Sequence, residues 1–427
     1  MRIEYFFLAI YLVLSFWAIP KFSFIRLAGL SSLETRLLFS FKILSAVACA
    51  WLFQRMSTNS DYLAYNHEGA IQHELLLSNP GLFFTDFTND INTYGWGGLF
   101  EPGGSFWAYI RFNLLYKFIA ILNLVTHGNF YFNSIIFSSI VFFGHIAFYR
   151  IYSQMYKGQK WAILFACFCL PSLLLYTSCI HKDGIIFLCL GLIGFVIYRA
   201  LSSNDSMRFK HIFYGLMAMV AVFLFRNYVI VAIVPAIITA VCCIAFPFKK
   251  RFIILTTCVI FSGLFFLSGL SHSSINLPAA VVKRKADFIN LGEGNTNIAM
   301  NELAPTIQSF IVNLPQAINH TLFRPYLWEF SQPSVILTAI ELFVYQMIIL
   351  MLIFYRKKQA FSVHPFNIFA GAFVLNMMLI IGYTIPNIGA IVRYRSIFWI
   401  FIICPVMCNI DWKRLFLNRK NNTGATE

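Results

Sequence analysis

Long apolar runs alternate with short basic connections along this chain, and that alternation predicts the architecture. A helix needs roughly 20 mostly apolar residues to cross about 30 Å of hydrocarbon. Eleven stretches meet the requirement, at about 3–20, 37–55, 130–149, 161–178, 184–200, 211–225, 228–246, 252–269, 336–354, 365–384 and 396–411. Two longer polar segments, 56–129 and 270–335, and a tail after 412 remain outside them. The pattern predicts an all-α fold in one polytopic membrane domain of about eleven transmembrane helices, with two long extracytoplasmic loops containing interfacial helices. The first run lacks a small-residue cleavage site and reads as a retained span. Segment 105–126 is apolar but carries Arg111 and Lys117, and ionised groups at the bilayer centre cost several kcal/mol. It is expected to lie as an amphipathic helix on the outer membrane surface.

Composition agrees with this picture and narrows it. Of the 427 residues, 59% are hydrophobic and 11% charged, where a soluble domain carries about a quarter charged residues. That leaves too little polar surface for a soluble enzyme. The net charge of +15 would suggest a nucleic-acid partner in a soluble chain. Here its location explains it. With the N-terminus outside, 20 of the 32 bases and four of the 17 acids fall on one side, which the positive-inside rule assigns to the cytoplasm. The other side holds 12 bases and 13 acids, so no nucleic-acid partner is implied. All ten cysteines lie in or at the end of a predicted span, without ligand spacing to histidine, and read as small apolar packing residues. No phosphate-binding loop or dinucleotide fingerprint is present, so chemistry driven by a cytoplasmic nucleotide is poorly supported.

The candidate chemistry therefore lies outside. Arg55 precedes Asn59-Ser60-Asp61-Tyr62-Leu63-Ala64-Tyr65, with His67, Glu68, His73 and Glu74 following. Asp61, just past the second span, suits a general base or a metal ligand acting on a phosphate-linked substrate; it equally suits a helix start. Tyr94 to Gly98 and Phe100 to Gly104 combine aromatic faces with flexible backbone, fit for stacking on sugars or for settling in the interface. His181-Lys182-Asp183 forms a corner between two spans, either a phosphate-holding pocket or a solvated turn in which Lys182 and Asp183 neutralise each other. Arg226, flanked by apolar runs, requires an anionic partner or the head groups. Lys283, Arg284, Lys285, Arg324 and Glu329 add charge to the late loop, and Glu341 stands inside the ninth span, placed for an ion pair with an outer arginine. Arg393 and Arg395 precede the last span, where guanidinium forks suit phosphate oxygens.

Asp61-Tyr62-x-x-Tyr65 behind Arg55, the corner from Pro171 to Gly184, Phe323-Arg324-Pro325 through Glu329 with Glu341, and Asn387-x-Gly389 with Arg393-Tyr394-Arg395 together resemble the bacterial EpsG-like and Wzy-like polysaccharide polymerases, which are similar to GT-C-type membrane glycosyltransferases. The resemblance implies an enzyme of the bacterial inner membrane that joins glycan units carried on polyprenyl phosphate or pyrophosphate, as donor and acceptor, outside the cytoplasm. It implies Asp61 as the catalytic base, with Arg55, Tyr65, Lys182, Arg226, Arg324, Arg393 and Arg395 binding substrate. Glu68 and Glu341 are the options for a second acid; no protein-held metal is implied, and a divalent cation stays open as a cofactor. A flippase and a chain-length regulator are the partner proteins such a role implies. A single-sugar transferase using a polyprenyl-phosphate sugar would show the same outer groups. A transporter or flippase of an anionic solute is the third reading, with few polar residues along the helices to support it.

Overall fold

The computed structural model describes residues 3–56, 60–99, 105–202, 209–270, 276–290, 296–329, 332–357 and 364–415. The Phe100 to Gly104 stretch, Asn59, Arg208, Lys358 and the end of the tail lie outside the described residues. The helices run in the order α1 (Ile3–Ala18), α2 (Ser23–Arg26), α3 (Ser32–Met56), α4 (Asp61–Ser78), α5 (Pro80–Thr85), α6 (Phe87–Tyr94), α7 (Phe106–Thr126), α8 (Phe130–Met155), α9 (Lys160–Phe168) and α10 (Pro171–Ser178). They continue with α11 (Lys182–Leu201), α12 (Phe209–Ala245), α13 (Lys250–Leu267), α14 (Leu277–Asn290), α15 (Ile307–Leu322), α16 (Pro333–Phe354), α17 (Pro365–Thr384), α18 (Ile388–Ser396) and α19 (Ile400–Asn409). Among the described residues, nine helices are long and apolar enough to cross a membrane, and the bent pairs α9–α10 and α18–α19 bring the number to eleven. The protein is an all-α polytopic membrane protein.

Two of those helices depart from a single straight crossing. At 37 residues, α12 would be about 55 Å long if straight, nearly twice the hydrocarbon thickness of about 30 Å. It is broken at Arg226, whose φ of −151° and ψ of 74° leave the helical region. His211 at its start faces Phe195 near the end of α11, and Arg226 meets Asp183 at the start of α11. The first limb thus runs antiparallel to α11. Beyond the break, Asn376 bonds the Ala232 carbonyl and Cys243 packs with Ile368, so the second limb returns along α17. Arg226 is the turning point between the two spans expected at 211–225 and 228–246.

The helix α7 passes the same length and apolarity test, yet both of its ends meet one rim of the bundle. Trp107 packs on Phe223, three residues before the Arg226 turn, and His127 packs on Phe7 at the start of α1. Its middle is covered by α4, with Tyr65 against Phe112 and Tyr116. Lys117, one of the two charges that argued against a crossing, bonds Asp86 at 2.5 Å just beyond α5. With α7 lying along that rim and α12 counted as two limbs, the crossings among the described residues are the eleven expected.

Close helix contacts set how deep the start of α11 lies. A Cβ on Gly144 would stand 2.8 Å from the Leu188 backbone, and one on Gly191 would stand 2.9 Å from the Gly144 carbonyl oxygen. Small residues let α8 and α11 approach backbone to backbone, as in packed membrane helices generally. At the start of α11, Gly184 lies against Phe137 and Val141, seven and eleven residues into α8. The α11 N-terminus is therefore recessed about 10–16 Å below the end of α8.

Candidate active site

That recessed N-terminus is where the charged groups converge. Asp183 occupies the first turn of α11, where the helix dipole favours a carboxylate, and is fully buried. Arg226, placed by the α12 turn, bonds its Oδ1, donates to the Tyr228 hydroxyl at 3.0 Å and lies 4.1 Å over the Tyr394 ring. His181 heads the helix. Its Nδ1 is 2.8 Å from Asp183 Oδ2 and its Nε2 is 3.7 Å from Asp61 Oδ2. The imidazole thus stands between the two carboxylates, and its Nδ1 accepts from the Asp183 N–H at 3.2 Å, which caps α11.

Asp61 reaches this group from the other end of the chain. Ser60 caps α4 through the Leu63 N–H and sets Asp61 in its first turn. The Asp61 carboxylate accepts from Arg393 Nη1 at 2.8 Å, and Arg393 Nε lies 3.8 Å from Asp183. The Asp61 side chain keeps 50% of its surface exposed. His181 and the Arg393 guanidinium beside it hold its carboxyl well below the usual carboxylate range. Tyr62 stacks on Phe53 with ring centroids 3.9 Å apart, and Tyr65 faces His181. Burial, with the Asp61 charge adding to it, pushes the Tyr65 phenol above its ordinary value.

A margin of cations surrounds the two carboxylates. Lys182 Nζ sits 3.8 Å over Phe112 and 5.5 Å over Tyr65, and the direct partner of Asp183 is Arg226, so the mutual neutralisation of Lys182 and Asp183 expected for a solvated turn is replaced by the Asp183–Arg226 pair. Arg284 of α14 stands over Phe288 and Tyr228, and Arg111 of α7 is within electrostatic range of Arg226 and Arg284. Lys182, Arg226, Arg393, Arg284 and Arg111 thus gather with two carboxylates in the recess at the α11 N-terminus, beside α4 and α7. Such an excess attracts an anion with several negative oxygens.

The remaining candidates fall elsewhere. Arg395 is buried and donates at 2.6 Å to the carbonyls of Thr321 and Arg324, so it anchors the α15 end to α18 and does not face the pocket. Arg324 pairs with Glu329 in the same late loop. Among the described residues Glu341 forms no ion pair with an arginine: it accepts from the Ser172 N–H and Oγ, both at 3.0 Å, and from the Tyr345 hydroxyl. Its work is to hold the start of α10. Arg55 stacks 4.7 Å over Trp51. Glu68 stands two turns along α4 from Asp61, near Tyr116. Among the described residues, no group of three or more His, Cys, Asp or Glu side chains is set to hold a metal ion. His181 and Asp183, named from sequence only as parts of the corner, and Tyr394 and Arg284, given no role from sequence, join the site. The lone Arg226 was their signal, because an arginine inside a membrane demands a carboxylate.

The fold and the centre define a multi-pass membrane protein with a recessed cluster of cations and carboxylates. Comparison with family models, with curated proteins and with solved structures finds no match to this chain.

Proposed function

We propose that the protein is a glycosyltransferase of bacterial surface polysaccharide, a polymerase of O-antigen, capsule or exopolysaccharide repeats acting in the inner membrane. It joins glycan units linked to polyprenyl phosphate or pyrophosphate on the extracytoplasmic side. The observation that carries this reading is the pairing of Asp61 with Arg393, 332 residues apart in sequence, beside the buried Asp183–Arg226 pair. It puts a water-accessible carboxylate next to guanidinium groups that suit phosphate oxygens. The basic clusters on the opposite rim support an extracytoplasmic position for the pocket.

In this reading the donor's phosphate oxygens engage Arg393, Arg226, Lys182 and Arg284. Drawing Arg393 toward phosphate takes it from Asp61 and restores basicity to a carboxylate whose proton affinity is suppressed at rest. Asp61 then accepts the proton of an acceptor hydroxyl. That oxygen bonds to the anomeric carbon while the bond from that carbon to the phosphate oxygen breaks, and the lipid pyrophosphate leaves with the electron pair. The arginines stabilise the charge that develops on it. His181, between the carboxylates, positions Asp61.

The test is genetic. In a strain lacking the chromosomal copy, Asp61→Asn and Arg393→Ala variants expressed at wild-type levels are expected to give no long polymer on a glycan gel. Full-length polymer from either variant contradicts the mechanism. Polymer of normal length lacking one branch, in the deletion strain itself, identifies single-sugar transfer instead.

A further inference from the structure

A second cavity opens at the opposite rim, away from the carboxylates. It measures about 630 Å³ and lies between the α2 segment, α8, α11 and the first limb of α12. Its mouth carries Arg150, Arg199, Lys210 and His211, and no carboxylate stands among the described residues that line it. Below the mouth the walls are apolar. On α8 they reach Ile140, ten residues from Arg150, and on α11 they reach Leu188, eleven residues from Arg199. At 1.5 Å per residue this trough is about 15 Å deep, half of a hydrocarbon core of about 30 Å and so the depth of one leaflet. Phe22, Leu27 and Tyr214 at its edge are exposed on the molecule's flank, so the trough opens sideways.

We propose that this cavity binds one anionic glycerophospholipid from the leaflet on the basic rim, its phosphate at Arg199 and Lys210 and an acyl chain in the trough. Charge selects the head group, and the length and apolarity of the trough select a lipid over a soluble phosphate. Basic pockets between membrane helices suit anionic head groups for this reason. Arg150 is already fixed, donating to the Phe24 carbonyl at 3.3 Å and stacking over Phe24 and Phe195, so one wall of the mouth is in place before a lipid arrives. This site is independent of the carboxylate pocket and of the activity proposed for it.

The experiment uses the full chain in detergent, incubated with equal amounts of palmitoyl-oleoyl phosphatidylglycerol and phosphatidylcholine and read by native mass spectrometry. Wild type is expected to retain one phosphatidylglycerol with a preference of about tenfold, and Arg199→Gln with Lys210→Gln to bring the preference near unity. Leu192→Trp, which fills the trough and leaves the cations untouched, is expected to lower retention of both lipids. It decides the matter if the double variant fails to fold. Equal retention of the two lipids by wild type overturns the proposal, as does an unchanged preference in a folded double variant or undiminished retention by Leu192→Trp. Displacement of the lipid by equimolar glycerol 1-phosphate overturns it too, because a free-phosphate site needs no trough.

Discussion

Arg226 is tolerated inside the bundle because Asp183, Tyr228 and the face of Tyr394 surround its guanidinium. Removing one partner of a buried ion pair leaves the other charge uncompensated and costs about 3–5 kcal/mol. Asp183→Asn is therefore expected to lower the thermal unfolding midpoint in detergent by many degrees. Asp61, half exposed in its pair with Arg393, belongs to the weaker class worth about 0–1 kcal/mol, and Asp61→Asn is expected to keep a midpoint near wild type. Equal losses in the two variants would contradict this ranking. The pH dependence comes from the sign of the Asp61 shift. A carboxyl held below its ordinary value contributes stability at every pH above its unfolded value, near 3.9, and loses it as pH falls through the folded one. The difference in midpoint between wild type and Asp61→Asn should stay flat from about pH 5 to 8 and close only in stronger acid, which a series of melts checks.

Among the elements, hydrophobic runs identify spans because the bilayer imposes their length, and the two limbs meeting at Arg226 were legible for that reason. Helices α9 and α10, and α18 and α19, are each bent, by 45° and 62°; one apolar run, 161–178, covers the first pair, whereas the run at 396–411 covers α19 and leaves α18 in the outer corner before it. Depth was not legible. The recess of α11 depends on Gly184 meeting Phe137, a contact between residues nearly fifty positions apart that no periodicity reveals. The site was half legible for the same reason: Asp61, Arg226 and Arg393 stand out as charges beside apolar runs, while the choice of Asp183 as the partner of Arg226, and the diversion of Arg395 and Glu341 to backbone and hydroxyl groups, are set by packing. Gly184→Leu, which drives side-chain atoms into Phe137, is expected to impair the site more than Gly263→Leu, where nothing lies within 4 Å of a Cβ. Glycan product at matched expression measures the difference. For α7, single cysteines at Trp107 and His127, in a chain with Cys258→Ser, should both react with a membrane-impermeant maleimide from the same side. Reaction from opposite sides would make α7 a crossing helix.

Across the whole molecule the net charge of +15 divides into two functions. One rim concentrates the bases that orient the chain and line the lateral trough. The other holds a near balance of charges in which Asp61, Asp183, Arg226 and Arg393 are drawn together from four separate elements by the packing of α4, α11, α12 and α18. In the proposed function this assembly carries out glycan transfer, with Asp61 as the base. General-base catalysis contributes about 100- to 10,000-fold. The most direct measurement is the rate of chain extension by purified wild type and Asp61→Asn in liposomes supplied with a polyprenyl-pyrophosphate-linked glycan, both with matched melting midpoints. Wild type is expected to extend the chain and the variant to be slower by at least about 100-fold; extension by Asp61→Asn at the wild-type rate would rule out Asp61 as the base.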